Sequence, residues 1–379
     1  MGVPKITLLY ANGNLLRDIA AVDGIAGIVG TVATVGLQGV TKIVYNLDDA
    51  IAQGYSLAAE PTMYRHLQEF YADAGGNQKL YVMGVPDTMT LAQMVDDTNV
   101  NGAKKLTQFA GNEIRLLAVF RKPPGGYNGG ANFIDSDVTT ALTNSKVFAQ
   151  SRLAELKPLR ILIEGRVQNP AAANTLTPTG SANGFAGVVL GGSLNDGSAS
   201  VGLALGRAVK YGAHIKLGKV ANGPLSLATA FIGTTAVKDR LDISTLNDAG
   251  FITLMQHPQK AGFYFAIDRM ASTDDYRLLA YGRVLDKAAI IAAAVYVDQL
   301  ESEVEVDDKG SIATNVIIDL EKQIEQQINV AMGAQISAVE VDIAANQNII
   351  STGKLTVKIR VRPLGYSSFI DVELGLVAS

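Results

Sequence analysis

The chain has 379 residues, 48 % of them hydrophobic and 18 % charged, with a formal net charge of −4. Cysteine is absent, which excludes disulfides, thiolate zinc sites and thiol nucleophiles, and neither the charge nor any Lys/Arg cluster suits nucleic acid or an anionic membrane. The charged fraction lies below the usual ~25 %, so much of the surface is expected to be covered, by a large buried sheet or by other subunits.

The N-terminal MGVPKITLLYANGN is too weakly apolar for a signal peptide. The longest apolar run, Ala288 to Val297, fits a buried helix and cannot span a bilayer. The protein is therefore expected to be made and assembled in the cytoplasm, without membrane insertion.

In chain order, KITLLY at 5–10 reads as a short strand, followed by the turn NGN. Ile25, Ile28, Val29 and Val32 lie among glycines in the pattern of a buried strand. VTKIVY at 40–45 is a second strand, and Asn46 precedes a short helix with Asp48 and Asp49 in its first turn. A firmer helix spans 61–74, with Pro61 at its first position and Gly75–Gly76 as its stop. His66 on that helix stands beside polar residues and is expected to face solvent. Strands follow at 79–85, 113–120 and 160–164, with a Gly/Pro loop at 121–130. Strand, helix, strand in this order predicts an α/β unit.

Thirteen glycines fall between Gly165 and Gly233, and from Val167 to Gly206 the only charged residue is Asp196. This composition predicts packed loops and a small-residue helix near 198–211, where backbones approach closely; an assembly interface would also suit it. Strands are expected at 251–256 and 262–269. A helix capped by Thr273 is expected to run to about 300, and a second from 314 to 332 carries Ile317, Leu320, Ile324 and Ile328 on one side. Three alternating strands close the chain: Val339, Val341 and Ile343; Leu355, Val357, Ile359 and Val361; Ile370, Val372, Leu374 and Leu376.

Catalytic chemistry is not legible. Gly24, Gly27 and Gly30 lack the spacing of a dinucleotide fingerprint. His66, His214 and His257 show no metal-ligand spacing. The paired carboxylates Asp48/Asp49, Asp96/Asp97, Asp274/Asp275 and Asp307/Asp308 sit where capping and turns explain them. No catalytic, cofactor or metal site is expected.

The ordered set of four stretches resembles the contractile tail sheath proteins of phage tails and related injection machines. These are GIAGIVGTVATVGLQGVTKIVYNLDDAI, TMYRHLQEFYADAGGNQKLYVMGV, LNDAGFITLMQHPQKAGFYFAIDRMASTDDYRLLAYGRVLDKA and GKLTVKIRVRPLGYSSFIDVELGL. Departures are Asp268-Arg269-Met270 where the family carries Arg-Thr, a single Arg283 where a doubled Arg is common, and Tyr366-Ser367 in place of a second Pro.

The resemblance implies an α+β, multi-domain fold with a mixed α/β sandwich core and extended N- and C-terminal strand arms. The expected divisions are an N-terminal arm (1–22), an outer variable region (23–245), an inner domain (246–362) and a C-terminal arm (363–379). It implies a non-enzymatic subunit, without cofactor, in stacked hexameric rings around an inner tube, with baseplate and tail-terminator proteins as further partners. Ile6, Leu8, Ile370, Val372, Leu374 and Leu376 would be donated to neighbouring subunits. Val339, Val341, Ile343, Leu355, Val357, Ile359 and Val361 would accept them. Asp319, Glu321, Lys322 and Glu325 are candidate tube contacts. Another structural component of such a machine, a different self-assembling shell, or an α/β enzyme of unidentified chemistry remain the alternatives.

Overall fold

The computed structural model describes residues 23–297, 302–308 and 310–371. The expected strand at 5–10, with Ile6 and Leu8, and the donated residues Val372, Leu374 and Leu376 lie outside the described residues.

Residues 26–265 build an eight-stranded sheet. Its elements begin with β1 (Ala26–Thr31), β2 (Thr41–Val44), α1 (Leu47–Ala52), α2 (Pro61–Ala74), β3 (Leu80–Val85), α3 (Leu91–Met94) and α4 (Ala103–Phe109). They continue with β4 (Leu116–Phe120), α5 (Ser136–Ala154), β5 (Arg160–Glu164), β6 (Ala186–Leu190), α6 (Val201–Lys210) and the hairpin β7 (Phe231–Ile232) and β8 (Thr235–Ala236). α7 (Ile243–Ala249), β9 (Phe251–Met255) and β10 (Tyr264–Phe265) complete the set. Strand order is β10-β9-β6-β5-β4-β1-β3-β2, parallel from β9 to β3 and antiparallel at both edges. Helices cover both faces, which is why β1, β3, β4, β5 and β6 are buried along their whole length. A Cβ on Gly27 would meet Leu106 of α4, whereas one on Gly30 would strike the Phe120 ring, which lies against His66 of α2. Three residues apart on a strand, the two glycines face opposite sides.

α2 and α6 lie side by side on one of those faces. A Cβ on Gly202 would come within 2.1 Å of His66 O, and one on Gly206 within 2.5 Å of Phe70 O. The small-residue segment therefore serves close packing inside the subunit. That packing also places His66 at 0 % exposure, against the expectation that it faces solvent. Burial first, then the neighbouring Arg65, holds its pKa well below the usual value, so the ring is neutral.

The sheet runs past residue 245, through Phe265, so 246–265 pairs with the first half of the chain. The rest forms a smaller unit of α8 (Leu279–Val297), α9 (Thr314–Met332), β11 (Ile336–Asp342), α10 (Ile349–Thr352) and β12 (Lys358–Pro363). β11 and β12 pair antiparallel over a core of Val284, Ile291, Val295, Ile324, Ile328 and Val341.

α8 starts at Leu279 and Thr273 does not cap it. Asp274 takes the Tyr276 N–H in a tight turn, and the buried Asp268 carboxylate accepts from Ala280 N at 3.2 Å, supplying the cap from a distance. The expected strand 262–269 shortens to β10 for the same reason, since Asp268 turns toward the helix. The expected strand from 354 begins only at Lys358, because the Gln347 amide takes both the N–H and the C=O of Thr356.

The two units are clamped by Arg160 of β5. Its guanidinium donates to both carboxylate oxygens of Asp286 on α8 at 2.6 Å, and to Gly184 O and Gly282 O. Arg283 adds an ion pair to Asp23 at 2.8 Å.

Candidate assembly interface

The edges of the two sheets are built differently. On the outer side of β2, Gln53 Nε2 donates to Ile43 O at 2.8 Å and Asp49 Oδ2 accepts from Tyr45 N at 3.0 Å. Both side chains come from α1 and its C-terminal end, positioned by the Asn46 cap. At the opposite edge, Leu225 N donates to Phe263 O beside β10. An unpaired edge invites another strand, and here side chains and loops close it.

In the small sheet, Glu325 Oε1 accepts from Val341 N at 3.1 Å and Glu321 Oε1 from Ile343 N at 2.7 Å. These N–H groups therefore point away from β12. Because Val341 stands opposite Ile359, and Val339 opposite Val361, antiparallel geometry turns the N–H and C=O of Ile359 and Val361 away from β11 as well. Among the described residues nothing hydrogen-bonds to them. Between α8 and the two strands runs a groove of about 610 Å³ lined by Tyr281, Val284 and Leu285 of α8, Ala338 and Val339 of β11, and Ile359 and Val361 of β12. The opposite face of β12 carries Lys358, Arg360 and Arg362, all exposed, with Arg360 paired to Glu340 at 3.1 Å.

After β12 the chain is held against its own body by Tyr366. Its hydroxyl donates to His214 O at 2.6 Å, its ring stacks on Tyr281, and Lys216 Nζ reaches both the ring and Ser368 Oγ. Burial, then the Asp268 charge, pushes the phenol pKa up, so it stays a donor. Beyond this anchor Phe369 is 84 % and Ile370 77 % exposed.

Of the expected acceptor residues, Val339 and Val341 lie on β11 and Ile359 and Val361 on β12. Ile343 is buried just past β11, while Leu355 and Val357 precede β12. Ile370 is in no strand among the described residues. Asp319 and Lys322 are exposed on α9, whereas Glu321 and Glu325 turn onto β11. Their spacing of four on a helix marked a polar stripe, and only the tertiary fold reveals that it meets a strand.

The crevice at the carboxyl ends of β1 and β4, where chain order reverses, is where ligands enter doubly wound sheets. Here the Glu60 carboxylate accepts from Ala33 N at 2.7 Å and Thr34 N at 2.6 Å and is 2 % exposed. The amides that would receive an anion are taken by the chain itself. Among the described residues no group of His, Asp and Glu could hold a metal ion, and no helix is long and apolar enough to cross a membrane.

Family models match almost the whole chain: DUF2586, N-terminal domain, over residues 3–269 and DUF2586, C-terminal domain, over 275–379. The chain belongs to the DUF2586 family. The break between the two family models falls between β10 and α8, where the large sheet gives way to the small unit.

Comparison with curated proteins finds no match. Among solved structures, the DUF2586 chain is similar to the helical sheath of the anti-feeding prophage in its contracted state, at 12 % identity and TM-score 0.60, covering 99 % of both chains. It is similar to the PVC sheath complex of an extracellular contractile injection system, also contracted, at 13 % identity and TM-score 0.58, covering 99 % of this chain and 98 % of that one. A sheath tail protein from Desulfitobacterium hafniense aligns at 11 % identity and TM-score 0.54, covering 95 % of this chain and 100 % of that one. At such identities the likeness establishes the fold, which is that of contractile tail sheath proteins.

Proposed function

We propose that this protein is a structural subunit of a contractile tail sheath. It polymerises as stacked hexameric rings around an inner tube, attaches to baseplate and tail-terminator proteins, and contracts to drive the tube into a target. The machine is a phage tail or an injection device assembled in the cytoplasm. The observation that carries this reading is the end-to-end likeness to sheath chains, 99 % of this chain against 99 % of one of them.

The chemistry of the surface supports it. The open edge of β12 and the bare Phe369 and Ile370 are liabilities in a monomer and assets in a polymer. Strand addition between copies, repeated with helical symmetry, joins subunits through backbone bonds that need no particular side chains. The N- and C-terminal segments would be the donated strands and the β11–β12 pair the acceptor. Asp319 and Lys322 on the exposed side of α9 remain candidates for the tube contact. The crevice occupied by Glu60 favours a structural role over the enzyme alternative.

Negative-stain electron microscopy of the purified full chain at high concentration tests the proposal. Hollow ridged cylinders of uniform bore are expected. A homogeneous monomer that forms no cylinders, with its tube protein supplied, would overturn it.

A further inference from the structure

A second cavity, of about 540 Å³, opens between the loop 214–220, the turn at His257 and the segment 364–368 that follows β12. It lies across the join of the two family domains, with 214–220 and His257 on one side and 364–368 on the other. Its charge sets it apart. The chain has a net charge of −4, and three other grooves each include carboxylates: Asp275 and Glu340 in one, Asp196 in another, Glu60 and Asp87 in a third. Among the described residues no Asp or Glu lines this cavity, whereas Lys216, Lys219, His214 and His257 do.

The two ammonium groups keep donors in hand. Lys216 Nζ donates to Ser368 Oγ at 3.2 Å and stands 3.9 Å from the buried Asp268 carboxylate, beyond hydrogen-bond reach, so most of its three donors are unused. Lys219 is exposed, and among the described residues its Nζ makes neither a hydrogen bond nor an ion pair. The hydroxyl-bearing Ser367 and Ser368 form part of the 364–368 wall. His214 Nδ1 is buried without a partner. Burial, then the charges of Lys219, Arg283 and Lys287, holds this ring's pKa below its usual value against the opposing pull of Asp23, so the excess of positive charge is felt inside the site.

Apolar side chains complete the lining, among them Ile215, Ile267 and Leu364. A cavity of this size suits a small organic molecule. Compact ammonium charges beside hydroxyls suit a phosphoryl group, whereas a planar carboxylate is matched best by the fork of an arginine.

We propose that this cavity binds a small phosphate monoester, its phosphoryl group held by Lys216, Lys219 and the hydroxyls of Ser367 and Ser368, and its organic body set against Ile215, Ile267 and Leu364. Bound there, the ester ties the segment after β12 to the 214–220 loop and reinforces the Tyr366 anchor. The assignment does not depend on the sheath reading.

Equilibrium dialysis of the full-length protein against phenyl phosphate, inorganic phosphate and phenylacetate, at constant ionic strength, tests it whether the protein is assembled or not. Phenyl phosphate is expected to bind saturably with a Kd of about 1 mM or tighter, and the other two anions about tenfold more weakly. Lys219→Gln removes a side chain with no bond in the fold and should weaken phenyl phosphate about tenfold, while Lys354→Gln, outside the cavity, should leave it unchanged. Acetylation footprinting should show Lys216 and Lys219 protected by phenyl phosphate and Lys354 not.

Non-saturable binding, an unchanged Kd in Lys219→Gln, or protection spread evenly over the lysines would overturn the site and leave the sheath proposal standing. Equal affinity for phenylacetate would overturn the phosphoryl assignment, and equal affinity for inorganic phosphate would overturn the ester.

Discussion

The eight-stranded sheet and the two-stranded sheet solve the edge problem in opposite ways. The large sheet closes both sides, with Gln53 and Asp49 over β2 and the 225 loop over β10. The small sheet closes one side with Glu321 and Glu325, and among the described residues nothing covers the outer edge of β12. The first arrangement makes a self-contained folding unit. The second leaves a unit whose hydrogen bonding, on the sheath proposal, would be completed by a neighbour. Placing both in one chain would separate the part that must be stable from the part proposed to associate.

Three variants and a titration test that separation. Arg160→Ala should have the largest effect, because it leaves Asp286 buried without its partner. A loss of about 3–5 kcal/mol is expected in denaturant unfolding, and the large and small units should begin to melt in separate transitions. A single unchanged transition would show that the clamp is not what joins them. Gly206→Val should cost about 3 kcal/mol, by forcing α6 off the Phe70 carbonyl, and would act on the large unit alone. Glu321→Ala/Glu325→Ala should cost only about 1–2 kcal/mol for the two bonds, read as a shift of the unfolding midpoint. An effect as large as that of Arg160→Ala would mean that the glutamates hold the small unit together rather than shield its edge.

The smallest effect concerns pH. Burial raises the Glu164 pKa, although its oxygens accept from Arg121 N at 2.8 Å and Ala199 N at 3.1 Å. A raised pKa means the folded state holds a proton that the unfolded chain has released. Its contribution is therefore fully present below the ordinary carboxylate range and is lost as pH rises through the folded value. Glu164→Gln should flatten that part of the stability–pH curve, while sacrificing one of the two bonds. An unaltered slope would assign the dependence to other buried carboxylates such as Asp137 and Asp268.

Regular elements with strong local signals were legible from the residues. Pro61 and the Gly75 stop bound α2, the Asn46 cap starts α1, and Thr314–Met332 follows its apolar stripe from end to end. What escaped was set by partners distant in sequence. His66 looks polar among its neighbours and is buried only because Gly202 and Gly206 let α6 come so close. Thr273 looks like a cap, yet Asp268 reaches the helix first. The β11 bonds of Glu321 and Glu325 and the Arg160–Asp286 clamp join residues whose types alone announce only a solvated surface. The alternation in the closing strands placed β11 and β12, but not which of their N–H groups the α9 glutamates take.

The Tyr366 anchor has a mechanical consequence. Tension applied to the chain beyond Ser368 meets the Tyr366 anchor before it reaches β12, the strand that precedes it. It passes through Tyr366 and Lys216 to the 214–216 loop, and from there to α6. α6 is wedged against α2 on the broad sheet, where a load is shared among many parallel bonds. Tugging between neighbours would thus be borne by the sturdiest layer of each subunit, and the lightly built two-stranded sheet would be spared being peeled open by its own tail.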